Sequence, residues 1–163
     1  MPSLRVRDLM TADVFTVRPD DPLTTLRDLM DDKHVRHVPV VDEDGSLAGL
    51  VSERDLLRRA SGADTDLPLS VQADVFTAVR VRDIMTWDIE TVEAETDAGS
   101  AAQIMLENKY GCLPVTDGDT LVGILTESDF VRFVAAPGEV WKSPSAAGSR
   151  EPGSRAPGPG GSA

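Results

Sequence analysis

The chain repeats itself. Shifted by 75 residues, Val6-Arg7-Asp8-Leu9-Met10-Thr11-Ala12-Asp13-Val14-Phe15-Thr16-Val17 falls on Val81-Arg82-Asp83-Ile84-Met85-Thr86-Trp87-Asp88-Ile89-Glu90-Thr91-Val92, with eight of the twelve positions identical. The register continues through Met30 on Met105, Pro39 on Pro114, Val40 on Val115 and Asp42 on Asp117, then slips by one residue. Beyond the slip, Leu47 to Asp55 lies on Leu121 to Asp129. The slip separates Asp42-Glu43-Asp44-Gly45 from Asp117-Gly118-Asp119, residues suited to a hairpin turn, where an insertion is best tolerated. Two copies of one supersecondary unit are present, each too small to cover both faces of its own sheet, so the copies are expected to pack on each other.

Each copy reads the same way. The β-branched and aromatic run Val14 to Val17 suits a strand. A helix follows, for which Asp20-Asp21-Pro22 offers a capping acid and an N1 proline, with Leu23, Leu26 and Met30 at helical spacing; Ala98, Ala101 and Met105 repeat the pattern. Two short apolar strands, His37 to Val41 and Leu47 to Val51, are joined by an Asp-Gly turn, and a closing helix starts at Asp55-Leu56-Leu57. The order β-α-β-β-α, taken twice, predicts an α/β (α+β) fold of two repeats packed pseudo-symmetrically through their sheets. Residues 1–61 form the first repeat and 81–142 the second; 62–80, with Val71, Val75 and Val79 at helical spacing, read as a connecting helix. In 143–163 every residue except Arg150, Glu151 and Arg155 is Gly, Pro, Ser or Ala, which predicts a disordered tail because nothing there can offset the entropy of ordering.

Charge narrows the partners. Sixteen basic and 28 acidic residues give a net charge of −12, the wrong sign for nucleic acid or an anionic membrane. No stretch approaches the roughly 18 apolar residues needed to span a bilayer. A single cysteine, Cys112, and no secretory pattern at the N-terminus fit a reducing cytoplasm. Cys112 has no partner at metal spacing and no evident base, and reads as a small buried residue near Pro114. His34 and His37 lack further ligands, so no metal site is expected. No G-x-x-x-x-G-K, H-E-x-x-H or G-x-S-x-G signature occurs, so no catalytic residues are assigned.

Ser52-Glu53-Arg54-Asp55 and Thr126-Glu127-Ser128-Asp129 each stand at a strand-to-helix junction. One reading is a capping box, hydroxyl to the N3 amide and acid back to the N-cap amide. The other is a ligand site, in which amides at a helix N-terminus attract a phosphate and the carboxylate accepts from a ribose diol. Capping boxes prefer Glu or Gln at the last position, and both copies carry Asp, which favours the ribose role.

The pattern V-R-D-x-M-T, an amphipathic helix, then P-V, an Asp-Gly turn, and G-x-[VL]-[ST]-x-x-D, met twice over residues 4–134, resembles the CBS-domain family, whose paired form is called a Bateman module. The resemblance implies a regulatory module that self-associates as a homodimer and binds AMP, ADP, ATP or S-adenosylmethionine between its repeats; because the sequence carries no effector domain, the regulated partner is expected on a separate chain. It implies two shared clefts. One would use Thr126 and Asp129 with Thr11, Thr16, Val35, Arg36 and His37; the other would use Ser52 and Asp55 with Thr86, Thr91, Tyr110, Gly111 and Cys112. Leu50 and Ile124 would pack on the base. Because Gly111-Cys112 replace Arg36-His37, the Asp129 cleft is expected to prefer the more phosphorylated ligand, and the Asp55 cleft to tolerate an uncharged tail or depend on Arg54. The alternative is an association module without ligand, which retention of both hydroxyls and both aspartates disfavours.

Overall fold

The computed structural model describes residues 3–62 and 76–137. The first repeat contains α1 (Val6–Leu9), α2 (Leu23–Lys33), β1 (His37–Val41), β2 (Leu47–Ser52) and α3 (Glu53–Gly62). The second contains α4 (Val81–Ile84), α5 (Ala98–Asn108), β3 (Cys112–Asp117), β4 (Thr120–Thr126) and α6 (Glu127–Ala135). Both hairpins are antiparallel, His37 opposite Ser52 and Cys112 opposite Thr126, and both shift register at the same place, Val40/Val41 and Val115/Thr116. Most of the expected connecting helix, Val71 and Val75 included, lies outside the described residues, as does the expected tail. Phe76 and Val79, at its end, pack on the first core.

Three local expectations are corrected. The strand at Val14–Val17 contracts to one parallel bridge, Val17 to Val40, mirrored by Val92 to Val115, because the neighbouring residues turn away to meet the other repeat. Asp21 does not cap α2: its carboxylate accepts from the Arg18 amide at 2.9 Å, and Pro22 occupies the N-cap with no side-chain bond. In the second repeat the equivalent residue is Asp97, which does cap, accepting from the Ser100 amide at 3.0 Å. The closing helices begin two residues early, at Glu53 and Glu127, because the hydroxyl residue before each completes the cap.

The repeated V-R-D-x-M-T segment docks one repeat into the other. Val6 is fully buried in the core of the second repeat, with Val92, Ala101, Met105, Leu113, Val115 and Leu125. Val81 is fully buried in the core of the first, with Leu23, Leu26, Met30, Val38, Val40 and Val51. Arg7 pairs with Glu95 at 2.6 Å and Arg82 with Asp20, the matching acids across the pseudo-twofold. Asp8 and Asp83 accept from the amides of Arg5 and Arg80, both at 2.9 Å, closing the short helical turns. Met10 lies against Gly123 and Met85 against Gly49. Thr11 and Ile124 then exchange two backbone hydrogen bonds, as do Thr86 and Leu50. Each hairpin is thereby closed on one edge by the other repeat, which satisfies backbone groups a free edge would expose.

Candidate functional site

A cavity of about 700 Å³ opens between the repeats. One wall is the start of β1 and the turn before it, Val35, Arg36 and His37; the facing wall is the end of β4 and the first turn of α6, Ile124, Thr126 and Asp129. Thr11 lines it as well, held there by its bridge to Ile124. Seven of the residues expected in the Asp129 cleft, Ile124 included, are thus brought together. Thr16 is not. In extended chain alternate side chains face opposite ways, and Thr16 points into a separate depression of about 210 Å³ with Ala12, Val41 and Leu121. The cavity also gathers residues that sequence reading did not assign: Asp13, Val14, Phe15, Lys33, His34, Glu127, Ser128 and Arg132. Arg132 follows Asp129 by three on a helix, a spacing that could have revealed it.

The hydroxyl and the acid form the capping box. Asp129 Oδ2 accepts from the Thr126 amide at 2.7 Å and from the Thr126 hydroxyl at 3.0 Å, and Oδ1 accepts from Arg132 at 2.8 Å. The side chain is almost fully buried. Asp55 repeats the arrangement with the Ser52 amide and hydroxyl, both at 2.9 Å. At α6 the Gly111 carbonyl accepts from the Glu127 amide at 3.2 Å, and the Thr126 hydroxyl meets the N3 amide. Two of the first three helix amides are therefore bonded within the protein, and attraction of a phosphate falls mainly to side-chain cations.

Those cations are Lys33, Arg36 and Arg132 at the cavity. Arg36 is 84% exposed and stands 3.8 Å from Glu53, a loose solvated pair that leaves it at the mouth. His37 belongs with the neutral groups: burial lowers its pKa, against the pull of Asp55 and Glu127, and Arg36 adds to the lowering. Folding favours the neutral ring, so its stabilisation is present above the ordinary value of 6.5 and is lost as pH falls below it. His34 caps α2 in the left-handed conformation, φ 53°.

Of the residues expected in the Asp55 cleft, Leu50 and Thr86 are joined by paired backbone bonds, and Ser52 is bonded to Asp55. Gly111, expected in that cleft, lines the 700 Å³ cavity, where the His37 ring lies against it; a Cβ there would be 3.3 Å from the imidazole. Cys112 is buried, and burial pushes its thiol up to about 12, so it stays protonated and unreactive at neutral pH. Thr91, Tyr110 and Arg54 are exposed.

Comparison with known proteins agrees with this architecture. The CBS-domain family model matches residues 6–62 and 81–136. The chain is 36% identical over 138 residues to CBS domain-containing protein CBSX1, chloroplastic, of Arabidopsis thaliana, covering 74% of this chain and 58% of the relative. It is 30% identical over 142 residues to the uncharacterized protein MJ1404 of Methanocaldococcus jannaschii, covering 83% of this chain and 33% of the relative. The chain thus spans only part of both. Among solved structures, CBSX2, a CBS-pair protein of Arabidopsis thaliana, in complex with AMP superposes with a TM-score of 0.70 at 30% identity, covering 83% of this chain and 99% of that one.

Proposed function

This chain belongs to the CBS-domain family, and from that membership we propose that it is a regulatory module that binds an adenine nucleotide in the cavity between its repeats and signals the bound state to a regulated protein. The observation that carries the reading is the cavity itself, which unites Thr126 and Asp129 of the second repeat with Thr11, Val35 and Arg36 of the first. The AMP complex of CBSX2 supports the ligand class. ADP, ATP and S-adenosylmethionine are the other candidates, and Arg36 and Lys33 at the mouth favour a ligand that carries phosphate. Binding, not catalysis, is the role proposed, in a reducing compartment such as the cytoplasm. Among the described residues no helix is long and apolar enough to cross a membrane.

Thermal unfolding tests the ligand. A nucleotide at a hundred times its Kd stabilises by about 2.7 kcal/mol, and at roughly 2–4 °C per kcal/mol for a chain of this size the midpoint rises by about 5–11 °C. If AMP, ADP, ATP and S-adenosylmethionine at millimolar levels all leave the midpoint in place, the ligand-independent association module becomes the better account.

Association has its own support. On α6, Val131 and Val134 are 67% and 77% exposed, Phe133 is exposed beside them, and Leu57 is exposed on α3. A surface of this kind on the closing helices suits a homodimer. Light scattering should give twice the 17.4 kDa chain mass. The mass of a single chain, both with and without nucleotide, would contradict the dimer.

A further inference from the structure

The Asp129 cleft holds a pair of residues that the repeated fold does not require. Phe15 and Lys33 both line the cavity, and the Lys33 ammonium stands over the Phe15 ring, 5.1 Å from its centroid. At the equivalent places the second repeat has Glu90 and Asn108, so neither ring nor cation is demanded by the shared architecture. Local structure brings both to the cavity. Lys33 is the last residue of α2, where left-handed His34 turns the chain back toward β1. Phe15 sits in the short span between Thr11, bridged to Ile124, and Val17, bridged to Val40. The ring is half-buried and belongs to neither apolar core. An aromatic face in a cavity that also holds Arg36 and Arg132, with a cation poised on it, is equipped to hold a flat base next to an anion.

Resting on the nucleotide reading above, we infer that Phe15 and Lys33 form a base-and-phosphate clamp particular to this cleft. The base stacks on Phe15, with Ile124 of the second repeat contributing the other apolar wall. Lys33 swings from the ring to the phosphate. The pair favours a purine monophosphate in this cleft, since the second repeat, with Glu90 and Asn108 at the equivalent places, has no such ring and cation.

Calorimetric titrations of AMP and of adenosine into the full chain test the clamp. Phe15→Leu, which keeps apolar bulk but loses the ring, should weaken both ligands by the same factor, about 5- to 150-fold. Phe15→Tyr, which keeps the ring, should bind both as the wild type does. Lys33→Gln should weaken AMP by about tenfold or more while leaving adenosine unchanged, since only a charge-assisted phosphate bond is removed. Unliganded thermal unfolding checks that each variant is folded. If Phe15→Leu binds as the wild type, if Phe15→Tyr loses as much as Phe15→Leu, or if Lys33→Gln weakens AMP and adenosine alike, the clamp is overturned while the nucleotide reading stands. A wild-type chain that binds neither ligand overturns the nucleotide reading, and the clamp with it.

Discussion

Asp129→Ala should lose nucleotide affinity by roughly ten- to 150-fold, because a charged acceptor to a buried diol contributes about 1.5–3 kcal/mol. The same change should lower stability without ligand by about 1 kcal/mol, since Asp129 Oδ2 also receives the Thr126 amide and hydroxyl that close the cap of α6. Arg132, held at 2.8 Å by Asp129 Oδ1, loses a partner at the cavity wall. The two effects separate in Asp129→Asn, which keeps an acceptor for the cap but removes the charge. Its affinity should fall while its unfolding midpoint stays closer to the wild type. Asp55→Ala should show the same cost of an opened cap, because Ser52 and Asp55 repeat the geometry. Calorimetry in which Asp129→Ala binds AMP with undiminished affinity would assign this acid to helix capping alone.

Gly49→Ala should be the most damaging small substitution at the junction of the repeats. A Cβ there would stand 2.8 Å from the Thr86 carbonyl oxygen and 2.9 Å from Met85 Sδ, and the carbonyl is fixed by its own pairing with Leu50. Overpacking of this kind costs about 1–3 kcal/mol, which at roughly 2–4 °C per kcal/mol lowers the midpoint by about 2–12 °C. Gly123→Ala should cost less. Its nearest neighbour, at 2.8 Å, is the Met10 thioether, which can move, and the Thr11 carbonyl oxygen is farther, at 3.0 Å. Two variants that unfold at the wild-type midpoint would contradict the docking of each V-R-D-x-M-T segment on the other repeat's glycine.

Much of this fold is written in the repeat. Matching residues 75 apart, together with the Asp-Gly turns, located both hairpins to within a residue, because a hairpin is specified by local turn chemistry and by strands read over a few positions. Leu23, Leu26 and Met30, and Ala98, Ala101 and Met105, all prove buried, as the helical spacing required. What the sequence conceals is which core a segment enters. Val6 and Val81 read as ordinary first residues of their own repeats, yet each completes the core of the other, a long-range choice that no local pattern encodes. The fading of the Val14–Val17 strand has the same origin, since Thr11 is drawn away to Ile124. Motif positions near the site, Thr11, Arg36, Thr126 and Asp129, could be listed from the resemblance, and they do share one cavity. Phe15, Lys33 and Arg132 carry no motif. They reach the cavity through the left-handed turn at His34 and the helical spacing from Asp129, which appear only when the backbone is followed in space.

Occupancy of the cavity between the repeats by an adenine nucleotide is open to direct measurement. Titration of AMP into the wild-type chain by calorimetry, repeated with Asp129→Ala under the same conditions, tests it most directly. The wild type should give saturable binding heat, and the variant a Kd at least about tenfold weaker. Wild-type heats no different from dilution up to millimolar AMP would contradict it.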